Sequence, residues 1–223
     1  MVIENEMLNA IKFFSLEKEN GLVSELANGG RWSMDYTALR HLQYIMQSAY
    51  SNKINNILEF CSGVSTILLK RYVGYNGKLM TTYEHDAEFA KYMGIQSEGE
   101  FQLKISPLQE YVYNGCKTLT FKDNCKELKD SSCKFELIVI DAPFGQPNYS
   151  RPQILFLLPQ VIDKDNFILF FDDTEREGEK QTMGEVCRIL VSNGIRYKIE
   201  SYKGEKEHTI ICDTNKEYLL SSI

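Results

Sequence analysis

Carboxylates stand in this chain where short runs that read as strands end. Lys78 to Tyr83 leads into Glu84, Phe135 to Ile140 into Asp141, and Asn166 to Phe171 into the Asp172-Asp173 pair. Surface acids have no reason to select such positions, so the pattern points to an acidic cleft. Asp141, Asp172 and Asp173 would converge if the runs that precede them are neighbouring strands. Three close carboxylates repel one another. A hard divalent cation such as Mg²⁺ relieves that conflict, taking a few carboxylates together with water and substrate oxygens. It would also favour the alkoxide of a bound hydroxyl. The plainer alternative is that Asp172 and Asp173 cap a turn or pair with Arg176.

A second constellation lies upstream, in Glu59-Phe60-Cys61-Ser62-Gly63-Val64-Ser65-Thr66. A turn of small residues lets the backbone approach a ligand closely. A helix starting near Ser65 would offer unpaired N–H groups to an anion. Glu84 lies 21 residues beyond Gly63. An acid at that distance, closing the second strand of a βαβ unit, is placed to accept both hydroxyls of a ribose. Two cofactor classes compete for such a site. A dinucleotide needs G-x-G-x-x-G so that its pyrophosphate can sit on the helix N-terminus. This chain has Cys61, Gly63 and Thr66 at those places, one glycine of three. A nicotinamide-dependent oxidoreductase is therefore disfavoured. S-adenosylmethionine carries ribose and adenine without phosphate, and its sulfonium suits an acidic cleft.

The combined motifs resemble a known family. Ile57-Leu58-Glu59-Phe60-Cys61-Ser62-Gly63-Val64-Ser65-Thr66 resembles the first motif of class I S-adenosylmethionine-dependent methyltransferases, in the variant that ends Gly-x-Ser-Thr. Tyr83-Glu84-His85-Asp86 is similar to their second motif, and Ile105-Ser106-Pro107-Leu108 to the stretch that borders the adenine. Phe135-Glu136-Leu137-Ile138-Val139-Ile140-Asp141-Ala142-Pro143 is similar to their fourth motif. The resemblance covers residues 50 to 213. It implies that Glu59, Cys61, Ser62, Gly63, Ser65 and Thr66 surround the methionine part of the cofactor. By the same resemblance Glu84 holds the ribose, His85 sits beside the adenine, Ser106, Pro107 and Leu108 line the base, and Asp141 faces the methionine or the acceptor. One departure is Cys61, which replaces the usual first glycine of the turn.

Within the superfamily, the metal-dependent catechol-type O-methyltransferases place one Asp after the fourth strand and an Asp-Asp or Asp-Asn pair after the fifth. Asp141, Asp172 and Asp173 match that pattern, which implies Mg²⁺ as a companion and those three as catalytic and metal-binding residues. The lysine usual three residues after the first Asp is here Phe144. Asp141-Ala142-Pro143-Phe144-Gly145 with Ser150-Arg151, and Asp172-Asp173-Thr174-Glu175-Arg176, are more similar to a bacterial branch of the family. Arg151 and Arg176 are available to an anionic acceptor group or to a neighbouring acid. The function implied is methyl transfer to a small-molecule acceptor at oxygen. The reading from another class is a non-catalytic S-adenosylmethionine-binding domain with a regulatory or interaction role, motivated by Cys61 and Phe144.

The elements that must position these residues follow from periodicity. Ile3, Met7, Leu8, Ile11 and Phe14 recur at helical spacing. After the break at Asn28-Gly29-Gly30, Ser33 is a candidate N-cap for a helix with Leu39, Leu42, Ile45 and Met46 on one face. From Ile57 onward strands alternate with helices, ending in a hairpin of Tyr197 to Tyr202 and His208 to Cys212. Residues 114 to 134 read as a polar loop with a short helix. The expected architecture is α/β and Rossmann-like: a seven-stranded, mostly parallel sheet with an antiparallel C-terminal hairpin and helices on both faces. An N-terminal helical cap would occupy residues 1–50 and the cofactor-binding domain 51–223.

The 223 residues leave no room for two full enzyme domains. A net charge of −6 argues against nucleic acid or an anionic membrane as partner. The six cysteines form no C-x-x-C pair, so zinc is not expected. The N-terminus Met-Val-Ile-Glu-Asn-Glu has no signal-peptide character, so a cytoplasmic protein with free thiols is expected.

Overall fold

The computed structural model describes residues 2–19, 34–48 and 53–221. Its centre is a seven-stranded sheet. The parallel strands are β1 (Asn56–Phe60), β2 (Leu79–Glu84), β3 (Phe101–Ile105), β6 (Leu137–Ile140) and β7 (Ile168–Phe171), and the antiparallel ones are β8 (Tyr197–Lys203) and β9 (Glu207–Asp213). Their order is β3-β2-β1-β6-β7-β9-β8.

Continuous apolar runs make the inner strands, because a parallel strand covered on both faces has no solvent side. Side chains still alternate. Ile57, Val139, Phe170 and Ile210 enter one core with Phe13, Leu42 and Ile45 from α1 (Val2–Glu19) and α2 (Tyr36–Gln47), and with Leu68 from α3 (Val64–Asn76). Leu58, Ile138, Leu169 and Ile211 enter the opposite core. There they meet Leu128 of α5 (Glu127–Asp130), Ile154 of α6 (Gln153–Leu157) and Val186 of α7 (Glu177–Ser192). The short α4 (Ala87–Tyr92) follows β2. Among the described residues no helix is long and apolar enough to cross a membrane.

Three local expectations change. Residues 108–121 form a β-hairpin, β4 (Leu108–Tyr113) with β5 (Cys116–Phe121), and only the residues after it are a turn and α5. The helix α1 buries Asn9 and Phe13, while Met7, Leu8 and Ile11 face outward. Polar anchors set that rotation: Tyr36 N–H donates to Glu6 Oε1 at 2.6 Å and Asn9 Nδ2 to Thr37 Oγ1 at 3.1 Å. The N-cap of α2 is Asp35, whose Oδ1 accepts from Ala38 N–H at 2.8 Å. The break at 28–30 and Ser33 lie outside the described residues.

Candidate active site

The sheet reverses direction of growth beside β1, which pairs with β2 on one side and β6 on the other. Ligands of open α/β sheets bind at such a switch point, beyond the carboxyl ends of the strands. Phe60 pairs with Tyr83 and with Ile140, and Ile140 with Phe171. The residues that follow, Cys61, Glu84, Asp141 and Asp172, therefore line up along one edge of the sheet.

Glu84 joins the ends of β1 and β2. Its Oε2 accepts from Ser62 N–H and from Ser62 Oγ, both at 2.8 Å, and its Oε1 from His85 and Asp86 N–H at 2.6 and 2.8 Å. The His85 ring places Nδ1 2.9 Å from the same Oε1. Burial alone would raise this carboxyl, but the donors outweigh it and hold it at about 2. Glu59 lies below the turn and is 0% exposed. Ser65 Oγ donates to its Oε1 at 2.7 Å, and Thr66 and Thr82 Oγ1 to its Oε2 at 2.7 and 2.8 Å. Burial, only partly offset by these neutral hydroxyls, pushes Glu59 up to about 7. Glu59 thus ties β1, β2 and α3 together.

Cys61 has φ +98°, in the region that favours glycine. That geometry explains why a glycine is usual there. Burial, with Asp141 and Glu84 nearby, raises the thiol well above its ordinary value, so it stays protonated. A β-branched residue tolerates positive φ worst. Cys61→Val is expected to lose about 1–3 kcal/mol of stability, whereas Cys61→Gly changes it by less than about 1 kcal/mol. Urea unfolding of both variants checks this; equal losses would show that the thiol's packing, not the backbone, governs the position. A Cβ built on Gly63 would meet no heavy atom within 4 Å. Ser106 N–H donates to Glu84 O at 2.8 Å, and Pro107 and the partly buried Leu108 continue into β4. These residues flank Glu84 at the end of β3. The exposed Phe144 ring reaches across the β1 turn to His85, edge to face at 4.9 Å between centroids.

Asp141, Asp172 and Asp173 each bring an oxygen within 4.8 Å of the others. The convergence anticipated from the strand ends is present, but cations accompany it. Arg151, 2% exposed, sends Nη2 to Asp173 Oδ2 at 2.6 Å and to Asp141 Oδ1 at 3.4 Å. Its Nη1 donates to Asp172 O at 2.6 Å, and its Nε lies 3.6 Å from Glu179 Oε1. Lys206 Nζ lies 3.3 Å from Asp173 Oδ1 and 3.7 Å from Asp172 Oδ2. Arg176 Nη1 lies 3.0 Å from Asp173 Oδ2. Burial pushes Asp141 up to about 6 although Arg151 opposes it. Burial, Asp141 and Asp173 push Asp172 well above the carboxylate range. Asp173 alone is lowered, because Arg151, Lys206 and Arg176 outweigh its burial.

This donor set does not fit Mg²⁺. Mg²⁺ needs oxygens drawn to about 2.0–2.1 Å in near-octahedral geometry. Here a guanidinium spans Asp141 and Asp173, and an ammonium lies against Asp172 and Asp173. The three acids converge, but as members of an ion cluster. Between the two roles open to Arg151, the structure gives it that of partner to acids. Glu179 and Lys206 belong to the same cluster without any signal in the local motifs. They come from α7 and from the turn between β8 and β9, and only the tertiary fold brings them in.

No family model matches the chain, and no curated protein matches it by sequence. Solved structures do match. An O-methyltransferase from Bacillus cereus in complex with SAH (S-adenosylhomocysteine) shares 17% identity at a TM-score of 0.55, covering 88% of this chain and 90% of the other. An SAH-bound methyltransferase from Podospora anserina shares 15% identity at a TM-score of 0.50, covering 82% of this chain and 80% of the other. With the strand order and the antiparallel hairpin, this likeness gives the chain the fold of the class I S-adenosylmethionine-dependent methyltransferases.

Proposed function

We propose that this protein is a methyltransferase that moves a methyl group from S-adenosylmethionine to a hydroxyl oxygen of a small molecule. The observation that carries this reading is Glu84, a buried ionised carboxylate at the end of β2, bonded to the open Ser62-Gly63 turn of β1. S-adenosylmethionine, when bound, supplies a methyl group on a sulfonium. Gly63 leaves space for its methionine part beside the turn, next to Cys61, Ser65 and Thr66. Glu84 would accept a ribose hydroxyl. Its four lone-pair sites are taken in this state, and rotation of the Ser62 hydroxyl about one bond frees one of them. His85, Ser106, Pro107 and Leu108 border the base. Asp141, at the switch point and raised to about 6, takes the proton of the acceptor hydroxyl. The acceptor oxygen's lone pair forms the new C–O bond, the C–S pair returns to sulfur, and the proton goes to Asp141. Magnesium has no place in this scheme.

The filled lone pairs of Glu84 and the side chain at Cys61 favour a second reading, a domain that binds the cofactor without transfer. Titration calorimetry with S-adenosylmethionine, and separately with NADH, tests the assignment. Binding of the first alone is the expected result. No heat at high micromolar S-adenosylmethionine would sink both readings, and binding without turnover on a broad panel of hydroxylated acceptors would favour the second.

A further inference from the structure

The turn between β8 and β9 is the unexplained part of the site. It lies far along the chain from Asp172 and Asp173, yet its placement is built in detail. Lys206 N–H donates to Asp35 Oδ2 at 2.9 Å, so one carboxylate both caps α2 and holds this turn. Gly204 packs so closely beneath it that a Cβ would strike Asp35, Thr37 and Glu6. On the other side Thr174 N–H donates to Glu207 O at 2.7 Å and Glu207 N–H to Glu175 Oε2 at 3.0 Å, tying the turn to the loop after β7. These contacts carry the Lys206 ammonium to Asp172 and Asp173, with 22% of its side chain exposed. The side-chain oxygens of Asp172 have no hydrogen-bond partner among the described residues, and Lys206 faces them as an ion pair.

We propose that the Lys206 ammonium holds the place of a divalent cation in this acidic cluster, so that methyl transfer by this chain needs no metal. The proposal rests on the methyltransferase reading for its function but not for its geometry. A compact ammonium at the cluster supplies positive charge near the acceptor oxygen as that oxygen's proton leaves for Asp141.

Water-proton relaxation with Mn²⁺ tests the idea on the full chain, using wild type, Lys206→Met and Lys206→Arg. Lys206→Gln serves as a second neutral variant, and thermal melting confirms that each is folded. Wild type and Lys206→Arg are expected to exclude Mn²⁺. The neutral variants, with no ammonium against Asp172 and Asp173, are expected to bind it at least about tenfold more tightly. Equal Mn²⁺ binding by wild type and the neutral variants would overturn the proposal. So would failure of the neutral variants to bind Mn²⁺ at all, because the lysine would then be blocking nothing. S-adenosylmethionine is titrated into the same samples. Its failure to bind would remove the functional reading while leaving the Mn²⁺ result to decide the role of Lys206.

Discussion

Glu84→Gln is expected to lower S-adenosylmethionine affinity at least about 100-fold and to cost about 3 kcal/mol of stability at neutral pH. The change looks conservative, but the surroundings are not suited to an amide. Ser62 N–H faces one oxygen, and His85 and Asp86 N–H face the other. Whichever way the glutamine turns, its NH₂ meets a backbone donor and leaves it unpaired. The pH dependence separates this from a simple packing defect. Glu84 is held at about 2 against an ordinary 4.5. A carboxyl lowered by folding contributes stability that is fully present above its unfolded value and is lost as pH falls towards its folded one. The gap between wild type and Glu84→Gln should therefore be full at about pH 7 and begin to close below about pH 4.5. Urea unfolding across that range measures it. A gap independent of pH would show that the carboxylate charge is not what the turn uses.

The strands were legible because burial on both faces turns them into unbroken apolar runs, as in Leu137–Ile140 and Ile168–Phe171. The ends of β6 and β7 were legible for the same reason, since Asp141 and Asp172 interrupt the apolar run. The β4–β5 hairpin was missed although Asn114-Gly115 carries a hairpin-turn signal, with φ +47° and +80°. The polar, lysine-rich residues that follow it mask that signal. The face of α1 was misjudged because apolar spacing competes there with Glu6 and Asn9, whose bonds to the start of α2 decide which side turns inward. The candidate site divides along a similar line. Residues in the β1 turn and at the ends of β2, β6 and β7 follow from local order along the chain. Lys206 and Glu179 depend on how the last hairpin and α7 pack over those ends, which no local pattern encodes. The same holds for the acidic cluster: three converging acids are visible in the sequence, and the cations that pair with them are not.

Arg151→Met should be the most damaging substitution for the fold. The guanidinium is buried and contacts Asp141, Asp173 and Glu179 while donating to the main-chain oxygens of Ile140 and Asp172 at 3.3 and 2.6 Å. It thereby joins the carboxyl ends of β6 and β7. Removing one partner of a buried ion cluster costs about 3–5 kcal/mol, because the remaining charges stay desolvated and unpaired. Methionine keeps the unbranched stem at the same φ of +57°, so backbone strain at the position is not altered. Arg151→Lys should recover less than half of the loss, since an ammonium cannot span two acids and two carbonyls with one planar fork. The sign with pH changes at Asp173, since Asp141 and Asp172 are raised in the wild type as well. In the wild type Asp173 is lowered, so its contribution is present above the ordinary carboxylate range and fades as pH falls. Without Arg151 the same acids are raised, so stability is greatest when they are protonated and is lost as pH rises. The deficit of Arg151→Met should thus grow steadily from about pH 4 to about pH 7. Unfolding by urea at several pH values gives the curve directly. A deficit that stays constant would mean that Arg151 acts through its packing and main-chain bonds, and that the acids at the ends of β6 and β7 do not depend on its charge.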